Sequence, residues 1–479
     1  MEDVLRAALS EALIHGATYA EARFQSDTSD SILLKNGIPE ASSHAEVRGV
    51  SVRVLFEHSL GFSATNFCTK RAVREIARKA VAVARADSEL TMRGTSMDDS
   101  KVGMGRFEIK PRVRFENVDP ASKIELLSDG YRAARESSEK TGVKLSGCVL
   151  GLNTSNTEKF ILNSDGAEIR SLVPRAALSG FLSLSGKGGE TIQRFLDRGE
   201  ASGWEAVERW NLPLLLSEEA DALARTLLEA EKTPRGEMDI ILGPEVVGLV
   251  CHESCGHPSE ADRMLGREAA QAGETYLKPE TIGKRIGSTL VTIVDDPTIL
   301  GSFGFYLYDE EGVKSRKRYL MRKGIVEELL QNRETAASFG VRSNGSSRAV
   351  AYGYEPIVRM ANTFLEPGDH SKEELIQDVK HGIYIKNFME WNIDDRRYHQ
   401  RYVGLEAYKI ENGILQERVR NPVLEITTEG FWRSVDAVGN DLEFQAAYCG
   451  KGDPMQGIPV WTGGPHVRLR DIRIGGATT

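Results

Sequence analysis

The chain is short of several things. It has no uninterrupted apolar run near the roughly 18 residues that mark a membrane-spanning helix, and its greasiest stretch, Met238 to Cys251, is broken by Asp239, Pro244 and Glu245. It has no basic excess. With 61 Lys and Arg against 70 Asp and Glu the net charge is −9, which argues against a dedicated nucleic-acid surface, because such a surface needs cations to displace phosphate counterions. The five cysteines, Cys68, Cys148, Cys251, Cys255 and Cys449, are too few and too irregular for a disulfide framework. The first residues lack the charged-then-apolar layout of an export signal and begin instead with Glu2 and Asp3. These absences predict a cytoplasmic protein with reduced thiols that binds neither membrane nor nucleic acid.

What is present is an ordinary globular composition. The 479 residues are 40% hydrophobic and 27% charged, enough for two to four folding units with sizeable cores. Helical spacing over Val4 to Leu13 is followed by strand-like stretches at Ser31 to Lys35 and Val47 to Ser63, then by a second helix over Arg71 to Leu90. Pro120 to Lys140 reads as a further helix. Lys144 to Gly189 reads as a meander turning at Ser164-Asp165-Gly166. Ser217 is placed to cap a helix over Glu218 to Lys232, which Thr233-Pro234-Arg235-Gly236 ends. Short strand-like pieces and many glycines dominate beyond that point.

The expected fold class is α+β, a mixed α/β N-terminal region followed by a large, mostly antiparallel β C-terminal domain carrying a metal-site helix. The expected units are an α+β domain over 1–110, a second α+β region with a β-meander over 111–232, and the β-rich domain over 233–479.

The most informative segment runs from Pro244 through His252, Glu253 and His257 to Pro258. Pro244 suits the first turn of a helix, and Val246, Val247 and Val250 give that helix a buried face. Two neutral imidazoles and a nearby carboxylate that can take a proton from water on a metal are the parts of a hydrolytic metal site. The spacing is unusual, however. Metalloprotease helices carry His-Glu-x-x-His, whereas here five residues separate the histidines, about 140° apart on a regular helix. The backbone must therefore deviate. Gly256 can leave helical dihedrals cheaply and Pro258 disfavours the α region at His257, which makes His257 the first residue past the helix end; a π-bulge serves as well.

A catalytic zinc site wants a third protein ligand and one open position. Cys251 and Cys255 read as packing residues. Cys449, followed by glycine, is favoured as the third ligand over His466 or a carboxylate. Glu260 and Asp262 are placed to orient a ligating imidazole by accepting its second N–H, with an ordinary surface position as the alternative.

These residues carry a resemblance. His252-Glu-Ser-Cys-Gly-His257 with Glu260 and Asp262, and Tyr448-Cys449-Gly450-Lys451, resemble the metal-site helix and the C-terminal Cys-Gly-Lys segment of the TldD/PmbA metallopeptidase family. Arg359-Met-Ala-Asn362-Thr363 before Pro367-Gly368, His381-Gly-Ile-Tyr384, Glu411-Asn-Gly413 and Val438-Gly-Asn440-Asp441-Leu442 extend it over nearly the whole chain. The resemblance implies that His252, His257 and Cys449 are metal ligands and that Glu253 is the general base and acid, which places the chain on the TldD-like, catalytic branch. It implies a peptidase for linear or unfolded peptides, acting inside the cavity of a homodimer or of a heterodimer with a PmbA/TldE-like chain. Thiolate and imidazole suit zinc, and iron is compatible with the same set.

The alternatives are a deformylase-like amide hydrolase, which shares the ligand types, and a non-catalytic partner subunit whose metal is structural. Residues 387–401 depart from the family's Gly-rich segment. Arg396, Arg397, His399 and Arg401 there are expected on a solvated loop or strand, with a peptide carboxylate as the functional alternative. The basic run Lys314, Arg316, Lys317, Arg318, Arg322 and Lys323 is expected on a solvated hairpin face.

Overall fold

Long paired strands organise the first half of the chain. In a computed structural model describing residues 1–90, 94–268 and 273–476, the strand Tyr19–Lys35 lies antiparallel between Ile38–Phe56 and Lys144–Asn163. Phe24 sits opposite both Val50 and Phe160. The seven-stranded sheet continues through Glu168–Ser185 to Met104–Glu108, with Ser59–Thr65 at the other edge and Thr191–Glu200 paired to Glu168–Ser185.

Helices Glu2–Ile14 and Lys70–Ser88 cover one part of this sheet through Leu5, Ala8, Leu9, Val73, Ile76 and Ala80. Pro120–Lys140 and Leu212–Glu229 cover another through Leu127, Leu216 and Leu223. Strand pairing thus joins 1–110 to 111–232, and their cores interlock: Ile32 and Leu34 pack with the second pair of helices, Phe160 and Leu162 with the first.

Two expectations are corrected. The first strand begins at Tyr19 rather than Ser31. Its polar middle carries no alternating signal, because distant side chains satisfy it: Thr157 Oγ1 donates to Asp27 at 2.7 Å and Lys123 Nζ to Asp30 at 3.1 Å. The helix expected over Glu218 to Lys232 spans Leu212–Glu229 instead. Pro213 lies in its first turn, where a missing N–H costs nothing, so Ser217 is an interior residue, and Glu231–Lys232 pairs as a short strand with Val419 and Arg420.

The second half forms a ten-stranded and a six-stranded sheet. In the larger, Gly236–Leu242 runs antiparallel to Val467–Gly476 and parallel to His381–Ile385. In the smaller, Gln456–Gly464 runs antiparallel to Glu443–Lys451 and parallel to Asn362–Leu365. Most remaining pairs are antiparallel, so the class is α+β as expected. No helix of the described residues is long and apolar enough to cross a membrane.

The basic run does form a hairpin, Arg318–Arg322 with Ile325–Val326, and Arg316 and Arg322 pair with Glu328 and Glu327 on its surface. Arg318 is the exception. It is fully buried and paired with Asp295 on the neighbouring strand.

The helix Pro244–Cys251 packs on Gln456–Gly464. A Cβ at Gly248 would lie 2.8 Å from Gly463 N and 3.0 Å from Thr462 C, both backbone atoms that cannot turn aside. Gly248→Ala should therefore destabilise the protein by about 1–3 kcal/mol although alanine is the better helix former. The expected reading is a lower urea midpoint; a midpoint equal to wild type would show that the helix can lift off the strand at no cost.

Candidate metal centre

The helix that starts at Pro244 buries Val246, Val247 and Val250 as expected. Beyond Cys251 it widens into one π turn, His252–Gly256, in which the His257 N–H donates to the His252 carbonyl. The π-bulge is thus the deviation that occurs. His257 keeps φ −59° and ψ −42°, so it has not left the helix, and Pro258 does not displace it.

The contribution of Pro258 is a missing donor: it cannot hydrogen-bond the carbonyl four residues back, that of Ser254, and the Tyr276 hydroxyl donates there instead at 3.0 Å. Gly256 also acts differently from expectation. Its φ is −59°, so it supplies room rather than freedom; a Cβ there would lie 2.0 Å from Met360 Sδ. The widened turn brings the two imidazoles to 4.8 Å between centroids, nearly perpendicular at 80°.

Cys449 reaches this pair from the edge strand Glu443–Lys451, its Sγ 3.3 Å from His257 Nε2. Ligand atoms of His252, His257 and Cys449 all lie within 4.8 Å of one another, and all three residues are buried. The donor set fits a zinc-type ion, and His252 Nδ1, buried without a hydrogen-bond partner, is the mark of a ring nitrogen awaiting one on at least one side of the imidazole. His466 is occupied elsewhere, 2.6 Å from Asp441 and 3.0 Å from the Tyr384 hydroxyl. Cys251 and Cys255 lie in the apolar core.

The two carboxylates after the helix divide. Glu260 sits 2.8 Å from His257 Nδ1 and also accepts from Arg263 Nε at 2.7 Å. Asp262 instead accepts from Lys451 Nζ at 2.7 Å. Strand alternation puts Cys449 and Lys451 on one face, so a single edge strand delivers a thiol to the imidazoles and an ammonium to the carboxylates.

Burial pushes both histidines below their ordinary pKa, His257 to about 4, which leaves the neutral rings that metals require. Burial alone would push the Cys449 thiol up, but His257 and the Arg359 guanidinium outweigh it and bring the thiol down to about 7. Glu260 is held well below the usual carboxylate range: burial opposes this, and Lys451, His257 and Arg263 overcome it.

A groove of about 870 Å³ opens over the cluster, lined by His252, Glu253 and His257 on its floor and by Phe388 to Ile393 and Ala446 to Gly450 on its walls. Both walls are outermost strands of their sheets. Glu253 is buried and ion-paired with Arg397 Nη1. Arg397 therefore corrects the expectation of a solvated segment: it points inward, whereas Arg396 is exposed beside Glu274, His399 is exposed, and Arg401 pairs with Glu390. Periodicity over Asp394-Asp-Arg-Arg-Tyr398 contains no signal that distinguishes Arg397 from its neighbours.

A buried His-His-Cys cluster with an acid beside it, at the floor of an open groove in an α+β frame, has the layout of a metallohydrolase. Profiles of the PmbA/TldA metallopeptidase domain 1, central domain and C-terminal domain match residues 20–84, 114–228 and 235–476. A metalloprotease of Methanothermobacter thermautotrophicus is 35% identical over 96% of this chain and 95% of its own. A zinc metalloprotease TldD homolog of Saccharolobus solfataricus is 24% identical over 96% and 97%. The fold is shared with TldE from Thermococcus kodakarensis, with a TM-score of 0.75 at 17% identity over 99% of this chain and 100% of that one. The chain belongs to the PmbA/TldD metallopeptidase family.

Two outcomes follow for metal affinity. Metal competes with the proton on Cys449, so affinity should be flat above pH 7 and fall about tenfold per unit below it, with His257 adding to the slope only near pH 4; zinc titration against a chelator from pH 5 to 8 measures this. Glu260→Gln should weaken zinc binding about 10- to 100-fold by removing the anion behind His257, read in the same titration.

Proposed function

We propose that this protein is a zinc-dependent peptidase of the His-Glu-x-x-x-His type, with His252, His257 and Cys449 as metal ligands and Glu253 as general base and acid. The observation that carries the reading is Glu253 beside the three-ligand cluster on the floor of a groove large enough for an extended peptide. Zinc held there supplies a Lewis acid to the scissile carbonyl and makes water more acidic. Glu253 accepts the proton as the water oxygen bonds to the carbonyl carbon, then returns it to the amide nitrogen as the C–N bond breaks. Glu260 holds the His257 ring and fixes its tautomer.

The groove supports peptides over the short formyl group that a deformylase-like hydrolase would remove. A structural metal would need a fourth protein ligand, and Cys251 and Cys255, the nearest candidates, are packed in the core. The zinc relative supports the choice of metal, while iron fits the same donors. We further take 1–110, 111–232 and 233–479 as the folding units, the site as lying inside a homodimer or a heterodimer with a TldE-like chain, and the location as cytoplasmic; the family membership supports the pairing.

Glu253→Ala should keep one zinc per chain and lose turnover of an unstructured peptide by about 10²–10⁴-fold, the contribution of a general base. Cys449→Ala should lose the zinc. Elemental analysis and peptide cleavage on the same preparations check both, and a Glu253→Ala protein with full activity would refute the mechanism.

A further inference from the structure

The turn between two strands beside the groove places one cation against the proposed base. Arg397 ends the turn between strands Phe388–Ile393 and His399–Gly404 with φ +61°. That left-handed conformation costs an L-residue with a Cβ roughly 1–2 kcal/mol, and glycine or asparagine would occupy the position with less strain. The turn itself is well held, by Arg397 N–H to the Asp394 carbonyl at 2.9 Å and by Thr428 Oγ1 to the Arg397 carbonyl at 3.0 Å. Glu57 and Lys323 share this conformation in other turns with their side chains exposed; at Arg397 the side chain is instead turned inward.

The side chain is 8% exposed and runs into the groove beside His252, Glu253 and His257. Nη1 donates to Glu253 Oε2, and among the described residues neither Nε nor Nη2 donates a hydrogen bond. The nearly buried cation is thus anchored at one nitrogen only, while Oε1 of Glu253 makes no hydrogen bond among the described residues and stays available for the proton of attacking water.

We propose that Arg397 is a catalytic residue of this chain: Glu253 fixes its guanidinium over the cluster, and its free Nη2–H donates to the oxygen of the scissile carbonyl as negative charge grows there. A fixed charged donor inside a poorly solvated groove acts without reorganising, which is the efficient form of such stabilisation. The proposal rests on the peptidase reading above and adds a second electrophile to it.

Arg397→Gly separates this role from a structural one, because it removes the side chain and relieves the backbone. Arg397→Gly should keep wild-type zinc content and a cooperative thermal transition, yet lose about 10²–10³-fold in kcat with KM changed only a few-fold on a fluorescence-quenched peptide library. The Kd of a phosphinic pseudopeptide built on the best-cleaved sequence should rise by the same factor as kcat/KM falls. Methylguanidine at millimolar concentration should restore part of the turnover in Arg397→Gly and none in Glu253→Ala.

Wild-type kcat in Arg397→Gly would overturn the proposal while leaving the peptidase reading intact, and so would a loss of activity matched by a loss of zinc. A zinc-loaded wild type that cleaves no member of the library would overturn the peptidase reading and this inference with it.

Discussion

The site depends on one backbone irregularity. On a regular helix His252 and His257 face directions about 140° apart; the π turn between them returns both rings to one side. Such a turn loses regular helical hydrogen bonding and persists only where its surroundings compensate. Here the compensation comes from outside the helix. Tyr276 takes the Ser254 carbonyl that Pro258 cannot serve, the Trp432 indole N–H donates to Ser254 Oγ at 3.0 Å, and Met360 fills the space that a side chain at position 256 would occupy.

The third ligand is held by electrostatics as much as by pairing. Lys451, Asp262, Glu260 and Arg263 form a buried chain of opposite charges behind Cys449, with the neutral His257 ring hydrogen-bonded to Glu260. Buried ion pairs contribute little net stability once desolvation is counted, so the consequence of this network is geometric. Cutting it would leave uncompensated charge in the interior and free the edge strand from the helix. Arg194 makes a similar link from the N-terminal sheet, donating to both oxygens of Glu245 at 2.6 and 2.7 Å in the first turn of the metal helix, where an anion is also favoured by the helix dipole. The first half of the protein thereby bears directly on the site.

Groove and chemistry share the same elements. The walls are outermost strands of two different sheets, with backbone donors and acceptors not taken up by a further strand among the described residues, and the floor is the metal helix between them. The turn that carries Arg397 extends from one wall, so the strand that borders the groove also positions a charge inside it.

Local pattern was enough for much of this. Helical spacing placed Pro120–Lys140 and the helix from Pro244, because their apolar faces are written in consecutive turns, and His252, Glu253, His257 and Cys449 stood out by residue type and motif. Pattern failed where distant partners decide. The polar strand from Tyr19 is stabilised by residues more than a hundred positions away, Arg318 is buried because Asp295 lies across the sheet, and the start of the helix at Leu212 depends on packing rather than on a capping serine.

At the site the division is the same. Residue types and motif spacing were enough to name the donors and to exclude a regular helix between the two histidines. How the rings meet, that Glu260 and not Asp262 holds His257, and that Arg397 alone of its basic neighbours turns inward are matters of packing, because the partners that select among them, Tyr276 at the π turn, Lys451 on Asp262 and Glu253 on Arg397, come from other segments of the chain.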